Sequence, residues 1–224
     1  MARGKKYQEI KKKIEKKEYS LEEAIDFIKK NKAAKFDESI EIHLNLRINP
    51  KKTEENIKGD VILPYGGFSQ KKIAVFVEPE KEKEAKEAGA DIIGGKELIE
   101  KIKETSNIDF DIAIATPKMM KELTSIAKIL GPKGLMPSPK TGTLTENIKE
   151  AINEFKKGKI FFKNDEGGNL HLVVGKVSWE KEKIIANIKA FLEAVRKAKP
   201  SKVKGNFIKN FTICSTMGPA LKIK

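Results

Sequence analysis

Thiol and imidazole side chains are scarce in this chain of 224 residues, which contains one cysteine, Cys214, and two histidines, His43 and His171. A single cysteine excludes an internal disulfide bond, and with only two histidines beside it no zinc site is expected. We therefore predict a chain that folds in a reducing compartment and holds neither a metal nor a cofactor.

Long apolar runs are also missing. No stretch approaches the roughly 18 apolar residues that suggest a bilayer-spanning helix. The N-terminal sequence "MARGKKYQEIKKKIEKK" lacks the apolar segment of a secretory signal. These absences predict a cytoplasmic protein without a membrane partner.

Positive charge is what the chain has in excess: 46 Lys and Arg against 32 Asp and Glu give a formal net charge of +14 and a pI near 9.6. Residues 1–66 hold 16 basic and 12 acidic residues (+4), residues 67–159 hold 17 and 15 (+2), and residues 160–224 hold 13 and 5 (+8). The surplus lies in the two flanks. It favours a polyanionic partner, nucleic acid first, although a basic surface that is only solvated is the alternative.

Both flanks show the patterns of half-solvated secondary structure. "SLEEAIDFIKKN" predicts a helix that starts with a capping box of Ser20 and Glu23. "FDESIEIHLNLRI" alternates apolar and polar residues and predicts a strand with one solvated face. Farther on, "KIFFKN" and "NLHLVVGK" flank "DEGG" as a hairpin signal, and a long helix and a last strand, "FIKNFTICST", follow.

The middle of the chain has a different pattern. "KKIAVFVEP" and "FDIAIATP" are nearly continuous apolar runs, which are typical of strands covered on both faces. Helical sequences follow them, "EKEKEAKEAG", "KELIEKIKET", "KMMKELTSIAKIL" and "ENIKEAINEFKKG", with a short strand at "DIIGG". This order predicts a small parallel sheet with helices on its faces, either inserted into a mixed α+β domain built from both chain ends or following it as a second domain.

Catalytic motifs are not evident. No G-x-G-x-x-G follows "IAVFV", and "GPKGLMPSPKTG" does not have the P-loop spacing, so nucleotide binding is disfavoured. His43 and His171 lack motif partners and are interpreted as surface or packing residues, and Asp165 with Glu166 as turn residues.

Two further stretches have open interpretations. From Arg196 to Lys224 there are eight basic residues and no acid, and polar residues alternate along "FIKNFTICST". This pattern fits either an RNA-reading sheet face or an ordinary edge strand. The stiff loop "LGPKGLMPSPKTGTLT" fits either a recognition element or a rigid connector.

Four segments, in the same order, resemble the ribosomal protein L-one family of the large-subunit mobile stalk, in its bacterial form: "AKFDESIEIHLNLRINPKK", "ILGPKGLMPSPKTGTLT", "GKVSW" and "TICSTMGPALK". The resemblance implies a non-enzymatic protein with an RNA-binding α+β domain from residues 1–66 and 160–224, and an inserted Rossmann-like α/β domain at residues 67–159, joined by hinge crossings. The implied partners are large-subunit ribosomal RNA at the stalk, tRNA leaving the exit site, and the protein's own operon mRNA, whose translation it represses. The free protein is expected to be a monomer in the cytoplasm.

The family's RNA-binding surface can be carried over residue by residue. It comprises Lys35, Phe36, Ser39, Glu41, Lys163, Asp165, His171, Lys176, Thr216, Met217 and Gly218. In this interpretation Lys35 neutralises a phosphate, Ser39 and Thr216 hydrogen-bond ribose 2′-hydroxyls, and Glu41 accepts from a base or a 2′-hydroxyl. Met217 packs on a sugar or base, and Gly218 allows close backbone approach. For the loop at residues 131–142 the resemblance gives no contact; nearness to stalk RNA or passing tRNA is a hypothesis, and the role of the loop stays open.

The chain departs from the family pattern at several positions. Tyr65 replaces the histidine of "LPHG" in the predicted hinge region, where "GFSQ" also differs, and Lys133, Ser138 and Glu166 replace common residues. The alternative function is a small-molecule-binding α/β enzyme that uses the middle domain. The salt dependence of binding distinguishes the two functions, because RNA binding weakens steeply with salt and small-molecule binding by an enzyme does not.

Overall fold

The computed structural model describes residues 4–15, 18–66, 71–105, 107–200, 203 and 205–224. Within these ranges the chain forms two compact units, one from Met1–Phe68 with Ile160–Lys224 and the other from Ser69–Lys159. None of the described helices combines the length and apolar character that a membrane crossing needs. The predicted junction sequence "GFSQ" lies outside the described residues.

The secondary structure alternates between helices and short strands. The helices are Lys5–Lys12 (α1), Leu21–Lys30 (α2), Glu82–Glu87 (α3), Lys96–Thr105 (α4), Met120–Leu123 (α5), Ala127–Leu130 (α6), Ile148–Lys156 (α7) and Lys181–Lys197 (α8). The strands are Ser39–Leu46 (β1), Lys58–Ile62 (β2), Ile73–Phe76 (β3), Ile92–Gly94 (β4), Ile112–Ala115 (β5), Lys159–Lys163 (β6), Asn169–Lys176 (β7), Ile208–Ser215 (β8) and Leu221–Lys222 (β9). Single 3₁₀ turns occur at Thr53–Glu55, Pro79–Lys81, Thr124–Ile126 and Pro139–Thr141.

The first unit is built on an antiparallel four-stranded sheet with the order β7-β1-β8-β9. Along β1 every second residue is buried, and the four apolar side chains that point inward are at most 3% exposed: Ile40, Ile42, Leu44 and Leu46. They join one hydrophobic core with Ile25 and Ile28 of α2 and Ile184 and Ile188 of α8. The helices therefore cover one face of the sheet and leave the polar residues of β1 on the other.

Local signals fix where the first unit's elements begin. The predicted capping box is confirmed: the Ser20 hydroxyl accepts from the backbone N–H of Glu23 at 3.3 Å, and the Glu23 carboxylate accepts from the N–H of Ser20 at 3.0 Å.

The last predicted strand is also confirmed as β8. It lies between β1 and β9, so the edge-strand interpretation is wrong.

The hairpin predicted around "DEGG" does not form as a strand pair. The turn itself is present, because the N–H of Asp165 donates to the carbonyl of Asn169 at 2.9 Å. However, β6 pairs with β2 in a separate two-stranded sheet, while β7 pairs with β1. Two strands joined by a tight turn thus belong to different sheets, and each pairs with a strand that is distant in sequence.

The second unit confirms the parallel sheet predicted for the middle of the chain. Its strand order is β4-β3-β5, with Ala74 opposite Ile92 and Ala113. All four residues of β3 and all four of β5 are buried. Residues of these strands form a core with α4 and with the segment of α5 and α6, as expected of a sheet covered on both faces.

One predicted helix, "KMMKELTSIAKIL", is interrupted. It forms α5 and α6 with a 3₁₀ turn at Thr124–Ile126 between them. The hydroxyls of Thr124 and Ser125 donate to the carbonyls of Lys121 and Glu122. Such side chains compete with the helical ladder for backbone acceptors, which favours the tighter turn.

The proline- and glycine-rich loop after α6 has a defined path. The Thr143 hydroxyl accepts from the N–H of Ser138 at 2.9 Å, and the N–H of Leu135 donates to the carbonyl of Leu130 at 3.0 Å. Gly134 and Gly142 have positive φ angles of 71° and 66°, which only glycine adopts without strain. Its outermost residues, 131–134, are exposed.

Candidate nucleic-acid interface

The uncovered side of the first unit's sheet, here called the polar face, presents Ser39, Glu41, His43 and Asn45 of β1. The strand register places polar neighbours beside them. His43 lies opposite His171 of β7 and Thr212 of β8. One row away, Asn45 lies opposite Asn169 and Asn210, and the Asn45 side-chain amide donates to the side-chain oxygen Oδ1 of Asn169 at 2.6 Å. Hydrogen-bonding groups therefore continue across three strands.

At the end of the polar face, two loops meet on one buried carboxylate. Glu38 is 0% exposed. Its oxygens accept from the N–H groups of Ala33 (3.0 Å) and Ala34 (2.6 Å) on one side, and from the N–H of Met217 (3.3 Å) on the other. Glu38 thus fixes the segment that carries Lys35 and Phe36 beside the turn at residues 216–218.

The charge state of Glu38 follows from these contacts. Burial raises the pKa of its carboxyl group, but hydrogen bonds from the Ser215 hydroxyl and from backbone N–H groups outweigh burial and leave the pKa below its ordinary value. Glu38 is therefore ionised at neutral pH. It holds the two loops by charge-assisted hydrogen bonds, which are about twice as strong as neutral ones.

The same two loops are joined a second time through Ser39. The N–H of Thr216 donates to the Ser39 carbonyl at 3.0 Å, and the N–H of Ser39 donates to the Thr216 hydroxyl at 3.0 Å. The Lys176 ammonium of β7 donates to the Ser39 hydroxyl at 2.9 Å. Ser39 therefore contacts two other predicted RNA-binding residues directly, Thr216 and Lys176.

Apolar side chains stand exposed on both loops. Phe36 is 54% exposed and Met217 is 56% exposed, which is unusual for side chains of this size. The turn beside Met217 is tight, and a Cβ atom at Gly218 would overlap the Ser215 hydroxyl. The packing of the turn itself therefore requires glycine at position 218. This requirement is separate from the close approach to RNA that the resemblance implies for Gly218.

The centre of the polar face holds a chain of imidazole and thiol groups. His43 Nδ1 lies 2.8 Å from His171 Nδ1, and His43 Nε2 lies 3.1 Å from Cys214 Sγ. Burial, and then the neighbouring His171, lower the pKa of His43 below its ordinary value. Burial, and then the charge of Glu41, raise the pKa of the Cys214 thiol to about 11.

Glu41 completes this cluster. One carboxylate oxygen of Glu41, a ring nitrogen of His43 and Cys214 Sγ all lie within 4.8 Å of one another. The prediction that no zinc site could be assembled around Cys214 considered only the two histidines. The cross-strand register between β1 and β8 adds the Glu41 carboxylate to the groups near Cys214.

Asp165 organises the turn between β6 and β7. Its carboxylate accepts from the N–H groups of Asn169 (2.7 Å) and Gly167 (2.9 Å), from the Asn169 amide (3.0 Å), and from His171 Nε2 (3.5 Å). The hydrogen bonds from Asn169 are the main cause that lowers the pKa of Asp165 to about 2. This confirms the interpretation of Asp165 as a turn residue.

Two other sequence-predicted positions stand apart from the polar face. Lys163 is exposed at the end of β6, which pairs with β2 and not with the four-stranded sheet. Tyr65, in the predicted hinge region, is held by the buried Asn187 of α8, which accepts from its N–H at 3.0 Å and donates to its carbonyl at 3.1 Å.

Sequence reasoning missed three features of the first unit: the buried Glu38, the buried Asn187, and the contact between His43 and Cys214. Asn187 lies inside α8, where no local pattern distinguishes it from a solvated polar residue. A charged residue that directly precedes an alternating strand was the available signal for Glu38, since its side chain then points to the buried side.

Comparison with known proteins relates the whole chain to the large ribosomal subunit. Residues 28–219 match the family described as Ribosomal protein L1p/L10e family. The protein of Solibacter usitatus named Large ribosomal subunit protein uL1 is 47% identical over 220 residues, which cover 98% of this chain and 93% of that protein. Proteins of the same name from Fervidobacterium nodosum and Mycoplasma capricolum subsp. capricolum are each 47% identical, over 98% and 99% of this chain and 94% and 98% of their own lengths. The chain therefore belongs to the ribosomal protein L1p/L10e family.

Proposed function

We propose that the chain is a structural protein of the cytoplasmic ribosome that binds large-subunit ribosomal RNA at the mobile stalk through its first unit. The observation that carries the proposal is the junction at Glu38, which holds two loops with exposed Phe36 and Met217 at the end of a hydrogen-bonding sheet face. Membership of a ribosomal protein family supports RNA as the partner. We assign the RNA-binding domain to residues 1–66 and 160–224 and the inserted Rossmann-like domain to residues 67–159.

The proposed surface offers each type of contact that folded RNA requires. Lys35 and Lys176 supply positive charge for phosphates, and the hydroxyls of Ser39 and Thr216 suit ribose 2′-hydroxyls. Exposed Phe36 and Met217 can pack on bases or sugars that are splayed from the helix. Glu41 and Asp165 are negative, so their role is to accept from base amino groups or 2′-hydroxyls and not to contact phosphates.

The finer parts of the proposal concern what the bound protein does. On the ribosome, we propose that it assists the release of deacylated tRNA from the exit site as the stalk moves. Off the ribosome, we propose that the free monomer represses translation of its own operon by binding an mRNA segment folded like the stalk RNA. A shared surface for both RNAs follows if each presents the same fold to the polar face.

A gel-shift titration of the full chain with a stalk-RNA fragment at two salt concentrations tests the partner. RNA binding should weaken by roughly 0.7 to 0.9 log units per log unit of salt for each phosphate contacted. Saturable binding with a slope that corresponds to several phosphates supports the proposal. Affinity that is absent, or that is indifferent to salt, would contradict it and would favour the small-molecule alternative.

A substitution at the exposed methionine tests the surface. Met217→Asp should weaken stalk-RNA binding by about 2–4 kcal/mol, as loss of a central interface contact does, without unfolding the protein. The matched control is Ile62→Asp, because Ile62 is an apolar side chain of the same unit with a similar exposure of 47%, located on β2. Equal affinities of the two variants in filter binding would remove the assigned surface.

A further inference from the structure

We propose that Glu41, His43 and Cys214 form a binding site for a zinc ion at the centre of the polar face. The three residues lie on adjacent strands, with Glu41 directly opposite Cys214 in the register between β1 and β8. They supply one carboxylate oxygen, one imidazole nitrogen and one thiolate sulfur, which are the three kinds of ligand that zinc takes in proteins.

The distances between the ligand atoms suit one ion. Zinc lies about 2.0–2.3 Å from nitrogen, oxygen and sulfur ligands, so neighbouring ligand atoms of a tetrahedral site are roughly 3.5 Å apart. His43 Nε2 and Cys214 Sγ are 3.1 Å apart, and no pair in the cluster exceeds 4.8 Å. Small rotations of the three side chains are therefore enough to close the site.

The contact between His43 and His171 uses Nδ1 of His43, so that Nε2 remains available to bind an ion. His43 Nδ1 lies 2.8 Å from His171 Nδ1, and His171 Nε2 lies 3.5 Å from the Asp165 carboxylate. Nδ1 of His43 is thus engaged by an outer partner, and Nε2 is the nitrogen that faces Cys214 at 3.1 Å. A histidine whose second nitrogen donates to an outer partner is the usual arrangement around a protein-bound metal.

The Cys214 thiol is half-buried beside the Glu41 carboxylate. A divalent cation bound there pairs with this carboxylate and favours the thiolate form of Cys214, because metal ligands bind in their deprotonated forms. Binding therefore replaces the S–H bond of Cys214 with a sulfur–zinc bond and releases one proton to solvent. The three ligands are half-buried, so a water molecule can reach the fourth position of the ion.

Cobalt titration of the full chain, in a phosphine reductant and without chelator, tests the site, because Co²⁺ takes the place of zinc and is coloured. We expect a thiolate-to-cobalt charge-transfer absorption at one equivalent, which Zn²⁺ abolishes by competition. Cys214→Ser should remove this absorption, and His43→Gln should weaken cobalt binding by at least tenfold. His171→Asn, which removes only the outer partner of His43, should weaken it by about 10–100-fold while the absorption remains.

Asn210→Ser is the matched control, because Asn210 is an exposed residue on the same strand and on the same face as Cys214. It should bind cobalt as the unchanged chain does. Absence of the charge-transfer absorption in the unchanged chain, or equal cobalt affinity in His43→Gln and Asn210→Ser, would overturn the proposal. The measurement uses no RNA, so its outcome is independent of the proposed RNA binding.

Discussion

The four-stranded sheet of the first unit and the three-stranded sheet of the second unit differ in how many faces they bury. Along β1 of the first unit, buried and half-buried residues alternate, whereas all four residues of β3 in the second unit are buried. A sheet with helices on one side keeps a broad surface free for a partner, and a sheet covered on both sides offers a partner only its loops. This difference explains why the candidate interface lies on strands in the first unit.

The largest expected effect on stability comes from an acidic substitution on a fully buried strand, compared with the same kind of substitution on a half-buried strand. Ala74→Asp puts a charge at a fully buried position of β3 and should cost about 4 kcal/mol or more, because an unpaired buried charge is not solvated. Thr212→Asp puts the same charge on the half-buried side of β8 and should cost about 1 kcal/mol or less.

Hydrogen exchange of the strand amides, together with urea denaturation, measures this contrast. Protection of Ile73–Phe76 should be lost in Ala74→Asp, while the amides of β8 should stay protected in Thr212→Asp. Comparable destabilisation by the two substitutions would show that the two sheets are not covered differently.

A smaller effect is expected at the buried carboxylate that joins the two loops. Glu38→Gln keeps the shape but replaces one acceptor oxygen with an NH₂ group that faces backbone N–H donors, so we expect a loss of about 2 kcal/mol. Because the folded-state pKa of Glu38 is lowered, its contribution is present above the unfolded pKa of about 4.3 and disappears as pH falls through the folded value. The variant should lack this part of the acid sensitivity.

Urea denaturation followed by the fluorescence of Trp179, the single tryptophan of the chain, measures the Glu38 variant in the first unit. Glu166→Gln is the control, since it removes an acid from an exposed turn position and should change stability by less than about 0.5 kcal/mol. Identical denaturation midpoints for the two variants at neutral pH would contradict the anchoring role of Glu38.

The smallest effect has the opposite sign and belongs to the second unit. Among the described residues, Thr116, at the end of β5, has a buried hydroxyl oxygen without a hydrogen-bond partner. Thr116→Val replaces that oxygen with a methyl group of similar size and should stabilise the protein by about 0.5–1 kcal/mol, because the unsatisfied group is removed. A lower midpoint of thermal unfolding would show that the Thr116 hydroxyl stabilises the folded chain, and it would contradict this prediction.

The elements that the sequence predicted correctly are those with a repeating or local signal. The alternation from Ile40 to Leu46 predicted both the strand and its buried face, because side chains on a strand point alternately to opposite sides. The pair of Ser20 and Glu23 predicted a helix start, since both partners of a capping box lie within one turn. The apolar runs predicted the parallel sheet.

The errors share a physical cause, which is that long-range pairing overrides local preference. The turn at "DEGG" favoured a hairpin, but β7 pairs with β1 and β6 pairs with β2, both of which are distant in sequence. Likewise, Cys214 and His43 are 171 positions apart in the chain, and only the sheet register brings them to 3.1 Å. The same holds for Glu38 and Met217, so the centre and the end of the candidate site could not be derived from local patterns.

The pairing of β1 with β8 has a consequence for biosynthesis. Ile40 lies opposite Ser215, so β1 lacks this partner until β8 has been synthesised. The second unit lies entirely between these two strands and can be complete before they pair. We therefore expect a nascent polypeptide to close its four-stranded sheet only after its three-stranded sheet can already have formed.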